Sequence, residues 1–228
     1  MNTTPLRFDG QHVVVVGGSS GIGRAVAAAA EAAGARVTAL GRHTPIACDL
    51  TDDASVVQAF QRTGAIDHLV LTPGARVGSP RLDQLTDAEL LAAYQVKLFG
   101  SLRALRAALP VLSPTASITL TSGQLARKPS PGGLLKGSLN AAVDAAGRQL
   151  AKELAPRRVN VVSPGAIDTP LWGADGDAAR AATLARVGGA LPVGRVGRPD
   201  ELAQAYLLAM ATGFMTGSVI DVDGGGLL

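Results

Sequence analysis

The sequence predicts a doubly wound α/β fold, with a mostly parallel seven-stranded sheet carrying helices on both faces in a single domain. Three observations carry this prediction. Short runs rich in β-branched residues alternate with longer, alanine-rich stretches of helical period. The first run, Val13-Val14-Val15-Val16, is apolar without a break, as a strand buried on both faces of a parallel sheet requires. The length, 228 residues, suits one domain spanning 1–228, and no linker, internal repeat or low-complexity tract divides it.

Each element follows in order. Residues 13–16 form the first strand. Residues 22–33 form the first helix, closed by Gly34, which can adopt the left-handed conformation of a helix end. Residues 36–40 are the second strand. Only about eight residues separate Leu40 from Asp49, fewer than the dozen or more of an ordinary parallel crossover, so the usual helix is missing or reduced to a turn. Cys48 falls on a short third strand. Thr51-Asp52-Asp53 caps a short helix running to about Arg62. Residues 68–71 are the fourth strand. Thr86-Asp87-Ala88-Glu89 is a capping box, opening a long helix to about Ala108 with Pro110 just beyond. Residues 117–121 are the fifth strand, 134–154 a long helix, 158–162 the sixth strand and 218–222 the last. The stretch 172–198, rich in Gly, Ala and Arg, reads as a short helix between mobile loops, a lid over substrate with Trp172 at its start.

Composition excludes several classes. Aromatic residues make up 3% of the chain, so Ala, Val and Leu fill the core. The net charge of +3 comes from scattered arginines, and no basic run interleaved with aromatics appears, so no nucleic-acid partner is expected. The lone cysteine, Cys48, cannot form an internal disulfide, and no metal-ligand spacing exists, so no metal is expected. The first ten residues lack the apolar core of a signal peptide, and no apolar stretch approaches the ~18 residues of a membrane span. The expectation is a soluble cytoplasmic protein with a small-molecule ligand and no membrane partner.

The most specific signal is the turn Gly17-Gly18-Ser19-Ser20-Gly21-Ile22-Gly23. It leaves a buried strand and enters an amphipathic helix. Glycines let the backbone approach a pyrophosphate without a Cβ in the way, and the helix N-terminus offers free N–H groups and partial positive charge. In this context the turn marks a Rossmann fold that binds a dinucleotide.

With the preceding Val16, this turn resembles the glycine-rich signature of the short-chain dehydrogenase/reductase family. Four further matches lie in order along the chain: Asp49-Leu50-Thr51-Asp52; Asn160 to Gly165 with Asp168-Thr169-Pro170; Gly197 to Glu201; and Asp221 to Gly225. The resemblance implies a nicotinamide cofactor. Its phosphates would lie over Gly17, Ser19, Ser20, Gly21, Ile22 and Gly23. Asp49, beside Leu50, would hold the adenine amino group. Thr72, Pro73 and Gly74 would flank the adenosine ribose, at the carboxyl end of the fourth strand. Pro164, Gly165, Ile167 and Thr169 would border the nicotinamide.

The end of the second strand indicates which cofactor. An acidic residue there would accept from the ribose 2′-OH of NAD(H) and repel a 2′-phosphate. Here Gly41 takes the acidic place and Arg42 follows, able to meet a phosphate with two charge-assisted bonds. NADP(H) is therefore expected in preference to NAD(H).

The resemblance also implies hydride transfer between the nicotinamide and a small carbonyl or alcohol, with a Tyr supplying the proton and a Lys one turn later assisting. Here most of those positions are replaced. Ser122 matches the family's Ser. Lys136 stands at the Tyr position, Asn140 at the Lys position, and Lys97 at the position of a supporting Asn. The only tyrosines, Tyr94 and Tyr206, fall elsewhere. The chain thus resembles a divergent subgroup that lacks the Tyr/Lys pair. An Asn and a Lys have exchanged places, and Lys97, Ser122, Lys136 and Asn140 could together face the nicotinamide. A desolvated Lys near another cation has a lowered pKa and can serve as general acid. Two functions stay open: an NADP(H)-dependent oxidoreductase with a non-standard proton donor, or an NADP(H)-binding sensor or assembly subunit without turnover. The family resemblance implies a homodimer or homotetramer.

Overall fold

The computed structural model describes residues 6–74 and 77–228. The single-domain expectation also counted residues 1–5, 75 and 76, which lie outside the described residues. The sheet runs β3 (Ile46–Ala47), β2 (Arg36–Gly41), β1 (His12–Val16), β4 (Ile66–Leu71), β5 (Leu112–Thr121), β6 (Arg158–Pro164) and β7 (Val219–Val222), and every neighbouring pair is parallel. β1 (His12–Val16) lies between β2 (Arg36–Gly41) and β4 (Ile66–Leu71), which explains its unbroken apolar run. Successive strand residues point to opposite faces. Val13 and Val15 accordingly join a core with Val26 of α1 (Gly21–Ala32) and Leu202 and Tyr206 of α7 (Pro199–Ala211). Val14 and Val16 join another, with Phe60 of α2 (Asp53–Gln61), Leu105 of α4 (Gly100–Ala108) and Val143 of α5 (Leu134–Glu153). The strand order reverses between β1 and β4, and such a reversal opens a crevice at the carboxyl ends of the strands.

Local chemistry sets most boundaries. Gly34, at φ +95°, closes α1. Asp52 caps α2 by accepting from the Ala54 amide at 2.9 Å. Thr86 and Glu89 form the predicted capping box at the start of α3 (Asp87–Tyr94). The turn after β2 is as short as the sequence requires. The Thr44 hydroxyl bridges the carbonyls of Gly41 and Ile46 and leads directly into β3 (Ile46–Ala47).

Some expectations need correction. Cys48 lies just past β3, where its amide donates to the Gly41 carbonyl at 3.0 Å, because the edge pairing ends at Gly41 and Ala47. The long helix predicted from Thr86 to Ala108 contains a π-helical turn, Gln95–Phe99, between α3 and α4. β5 (Leu112–Thr121) starts five residues before its predicted start at Ser117, since Leu112 already pairs with Ile66. β6 (Arg158–Pro164) and β7 (Val219–Val222) complete the sheet. Within 172–198 lies α6 (Ala178–Gly189), capped by Asp177 on the Ala179 amide.

Candidate active site

The glycine-rich turn sits at the β1/β4 crevice, and Thr72 shapes it. The Thr72 hydroxyl donates to the Val16 carbonyl at 2.8 Å, and its amide donates to the same oxygen at 2.9 Å. A Cβ on Gly23 would stand 2.5 Å from Thr72 Oγ1 and would also overlap the Gly17 carbonyl oxygen. Gly17 and Gly21 adopt φ +85° and +50°. Ser20 occupies the cap position of α1, yet its side chain accepts no amide of the first turn. Among the described residues those N–H groups have no side-chain acceptor, as an anion site requires. Pro170 and Thr169 close over Gly21 from the far side, 3.4 Å from where its Cβ would be in the case of Thr169.

The remaining cofactor candidates lie at or just after the carboxyl ends of β1 to β4 and of β6. Ser19 is exposed and its hydroxyl lies near Gly41, while Arg42 is exposed in the turn that follows. Asp49 accepts from the Thr51 amide and hydroxyl at 2.9 and 2.7 Å, which holds its carboxyl below the usual range. Leu50 is buried against Gly100. Pro73 is buried beside Thr72, and Gly74 faces Leu171. Pro164 ends β6, and Gly165 packs so closely on Asp223 that a Cβ would lie 2.6 Å from its Cα. Ile167 and Thr169 are buried, and the Trp172 indole donates to the Ile167 carbonyl at 2.9 Å. The glycine cradle and the first-turn N–H groups of α1 fit a dinucleotide. Among the described residues no His/Cys/Asp/Glu group could hold a metal ion, and no helix is long and apolar enough to cross a membrane.

Lys97, Ser122 and Asn140 meet at the carboxyl end of β5. Lys97 lies within the π-helical turn, and such turns re-aim side chains and recur at functional sites. Its ammonium donates to the Ser122 carbonyl and to Asn140 Oδ1, both at 2.6 Å. Ammonium carries three donors, so one stays unassigned. Burial pushes the Lys97 pKa down to about 8, and the negative charge of Asp144 opposes that shift. Ser122 follows β5, and its hydroxyl is buried with no partner among the described residues. Asn140 is buried on α5.

The structure thus gathers three of the four candidates. The fourth, Lys136, belongs to the same face of α5 as Asn140, one turn earlier, but its ammonium donates to Ser79 Oγ at 3.0 Å. Among the described residues neither tyrosine hydrogen-bonds to this cluster. Tyr206 is fully buried in the core, bonded to Thr121 Oγ1 at 2.6 Å, and burial raises its pKa further. Tyr94 packs against Phe99.

Sequence reasoning missed a polar group beside this site. Arg127 grips Asp221 with both terminal nitrogens and donates to Ser163 Oγ at 3.1 Å, while the buried Asp144 lies 4.0 Å from its Nε. One available signal was the spacing Lys136, Asn140, Asp144, a polar stripe along one face of α5.

A family profile described as enoyl-(acyl carrier protein) reductase matches residues 16–226. The short-chain dehydrogenase/reductase malC of Malbranchea aurantiaca is 34% identical, covering 96% of this chain and 95% of its own. Carbonyl reductase family member 4 of Danio rerio is 30% identical, covering 93% and 96%. A crystal structure of a small-chain dehydrogenase in complex with NADPH superposes with TM-score 0.90 at 40% identity, covering 96% of this chain and 99% of that one.

Proposed function

The chain belongs to the short-chain dehydrogenase/reductase family, and we propose that it is an NADP(H)-dependent oxidoreductase of small carbonyls or alcohols with Lys97 as proton donor. The observation that carries the reading is the Lys97 ammonium, held between the Ser122 carbonyl and Asn140 and depressed to about 8. A general acid works best with a pKa near the operating pH. Bound NADP(H) would supply the hydride, with its phosphates over the glycine turn and its 2′-phosphate toward Arg42. A relative of 40% identity in complex with NADPH supports the choice of cofactor. Ser122 Oγ would donate to the carbonyl oxygen, and Lys97 would deliver the proton that the same oxygen acquires. Residues 172–198 would cover the substrate, and the protein would work as a cytoplasmic homodimer or homotetramer. On this reading the chain represents a divergent subgroup in which the Tyr/Lys pair is replaced.

A second reading, NADP(H) binding without turnover, draws on Lys136. It stands at the phenol's position, yet its ammonium is directed to Ser79. A panel of small carbonyls with NADPH separates the two. Turnover that disappears in Lys97→Met and Ser122→Ala, with NADPH still bound, supports the oxidoreductase. Tight NADPH binding without turnover across the panel supports the second reading.

A further inference from the structure

Asp144 lies on α5 one turn beyond Asn140, on the same face. Its side chain is buried, and Oδ1 has no hydrogen-bond partner among the described residues. Oδ2 stands 4.0 Å from Arg127 Nε, too far for a hydrogen bond. Arg127 commits its terminal nitrogens elsewhere: Nη1 donates to Asp221 Oδ2 at 2.8 Å, and Nη2 to Asp221 Oδ1 and Ser163 Oγ. A buried carboxylate left this poorly bonded costs free energy. Packing gives no reason for a charge there, because Val143 joins the apolar core and Gly147 lies against Val161 and Leu120.

The group that gains from the charge is Lys97, which reaches this helix through Asn140. The other charged groups nearby are already matched. Asp221 of β7 is held by Arg127, and Asp223 accepts from the Gly225 and Leu227 amides. Lys136, on α5 itself, is turned to Ser79. Asp144 is therefore the acid whose charge is left to act on Lys97.

We propose that Asp144 is a positioning residue for Lys97: its buried negative charge keeps the ammonium protonated on its Ser122 and Asn140 acceptors, while Arg127 limits how strongly that charge acts. The part that concerns turnover rests on Lys97 as proton donor; the part that concerns its protonation does not.

The test is an NMR titration of labelled lysine side chains in the full chain. The sequence has four lysines, and the Lys97→Met variant assigns the signal. Asp144→Asn should move the Lys97 midpoint down by about one pH unit, roughly tenfold in proton affinity. Arg127→Gln, which removes the competing cation, should move it up. The alkaline limb of the pH–rate profile should shift in the same directions. A midpoint unchanged in Asp144→Asn overturns the proposal. If that variant does not fold, an unchanged or lowered midpoint in Arg127→Gln overturns it instead. A merely structural role would lower stability in both variants without opposite shifts. If the wild type shows no turnover, the midpoints still decide the role of Asp144, and only the catalytic role of Lys97 fails.

Discussion

Lys97 and Asn140 come from separate helices and meet at 2.6 Å, Nζ to Oδ1, across the end of β5. The π-helical turn aims the lysine, and α5 supplies the amide. Asn140 is fixed in turn by Gly123, where a Cβ would stand 2.8 Å from Nδ2. The contact keeps a cation beside the Ser122 carbonyl.

Removing the Ser122 hydroxyl should affect chemistry far more than folding. Among the described residues its Oγ has no partner to lose, and the backbone carbonyl that holds Lys97 remains. Ser122→Ala should change stability by less than about 1 kcal/mol. Turnover should fall on the order of a hundredfold or more, as when an oxyanion donor is removed. Thermal melts and NADPH-oxidation rates on the same samples check both.

Arg42→Ala should erase the proposed preference for NADP(H). A charge-assisted bond to phosphate contributes about 1.5–3 kcal/mol, roughly ten- to a hundredfold in affinity. Binding titrations with NADPH and NADH check this. NADH affinity should stay near its wild-type value, and an unchanged ratio of the two would assign the selectivity elsewhere.

Two glycines should respond in opposite ways to alanine. Gly23→Ala drives a methyl to within 2.5 Å of Thr72 Oγ1 and into the Gly17 carbonyl. It should cost about 1–3 kcal/mol and weaken dinucleotide binding. Gly189, within α6, has open space around it, and Gly189→Ala should stabilise by up to about 1 kcal/mol. Urea unfolding of both variants compares the costs.

Acid should unfold the protein through His68. This ring is buried between Ser117 Oγ and Gln11 Oε1, and burial pushes its pKa down to about 4. The unfolded chain binds a proton near 6.5 and the folded one near 4, so stability should fall as pH drops through that window. The loss should be about 2–3 kcal/mol at pH 4 relative to pH 7. Denaturant melts across pH 7 to 4 should show it, and a His68→Gln variant should lose that part of the slope.

The sheet was legible because its signals are local. The unbroken valines of β1, Gly34 and the Thr86/Glu89 box each carry their own physical reason within a few residues. The meeting of Lys97 and Asn140 was equally visible, since motif spacing along two helices points both to one site. Other features depend on long-range geometry. A π-helical turn leaves the apolar pattern nearly unchanged, so Gln95–Phe99 read as ordinary helix. Periodicity gives Lys136 a face but not a direction, and its bond to Ser79 spans 57 positions. The Arg127–Asp221 pair spans 94 positions, so it had no signal in a local reading.

The central claim is that Lys97 delivers the proton. The most direct measurement is the pH dependence of single-turnover NADPH oxidation, on a carbonyl that the panel identifies, in wild type and Lys97→Met. Because the acid must be protonated to act, the wild-type rate should be level at lower pH and fall above about pH 8. Lys97→Met should bind NADPH yet lose roughly a hundredfold or more in rate at every pH, with no limb near 8. A Lys97→Met variant that keeps both the wild-type rate and the wild-type profile would contradict the account.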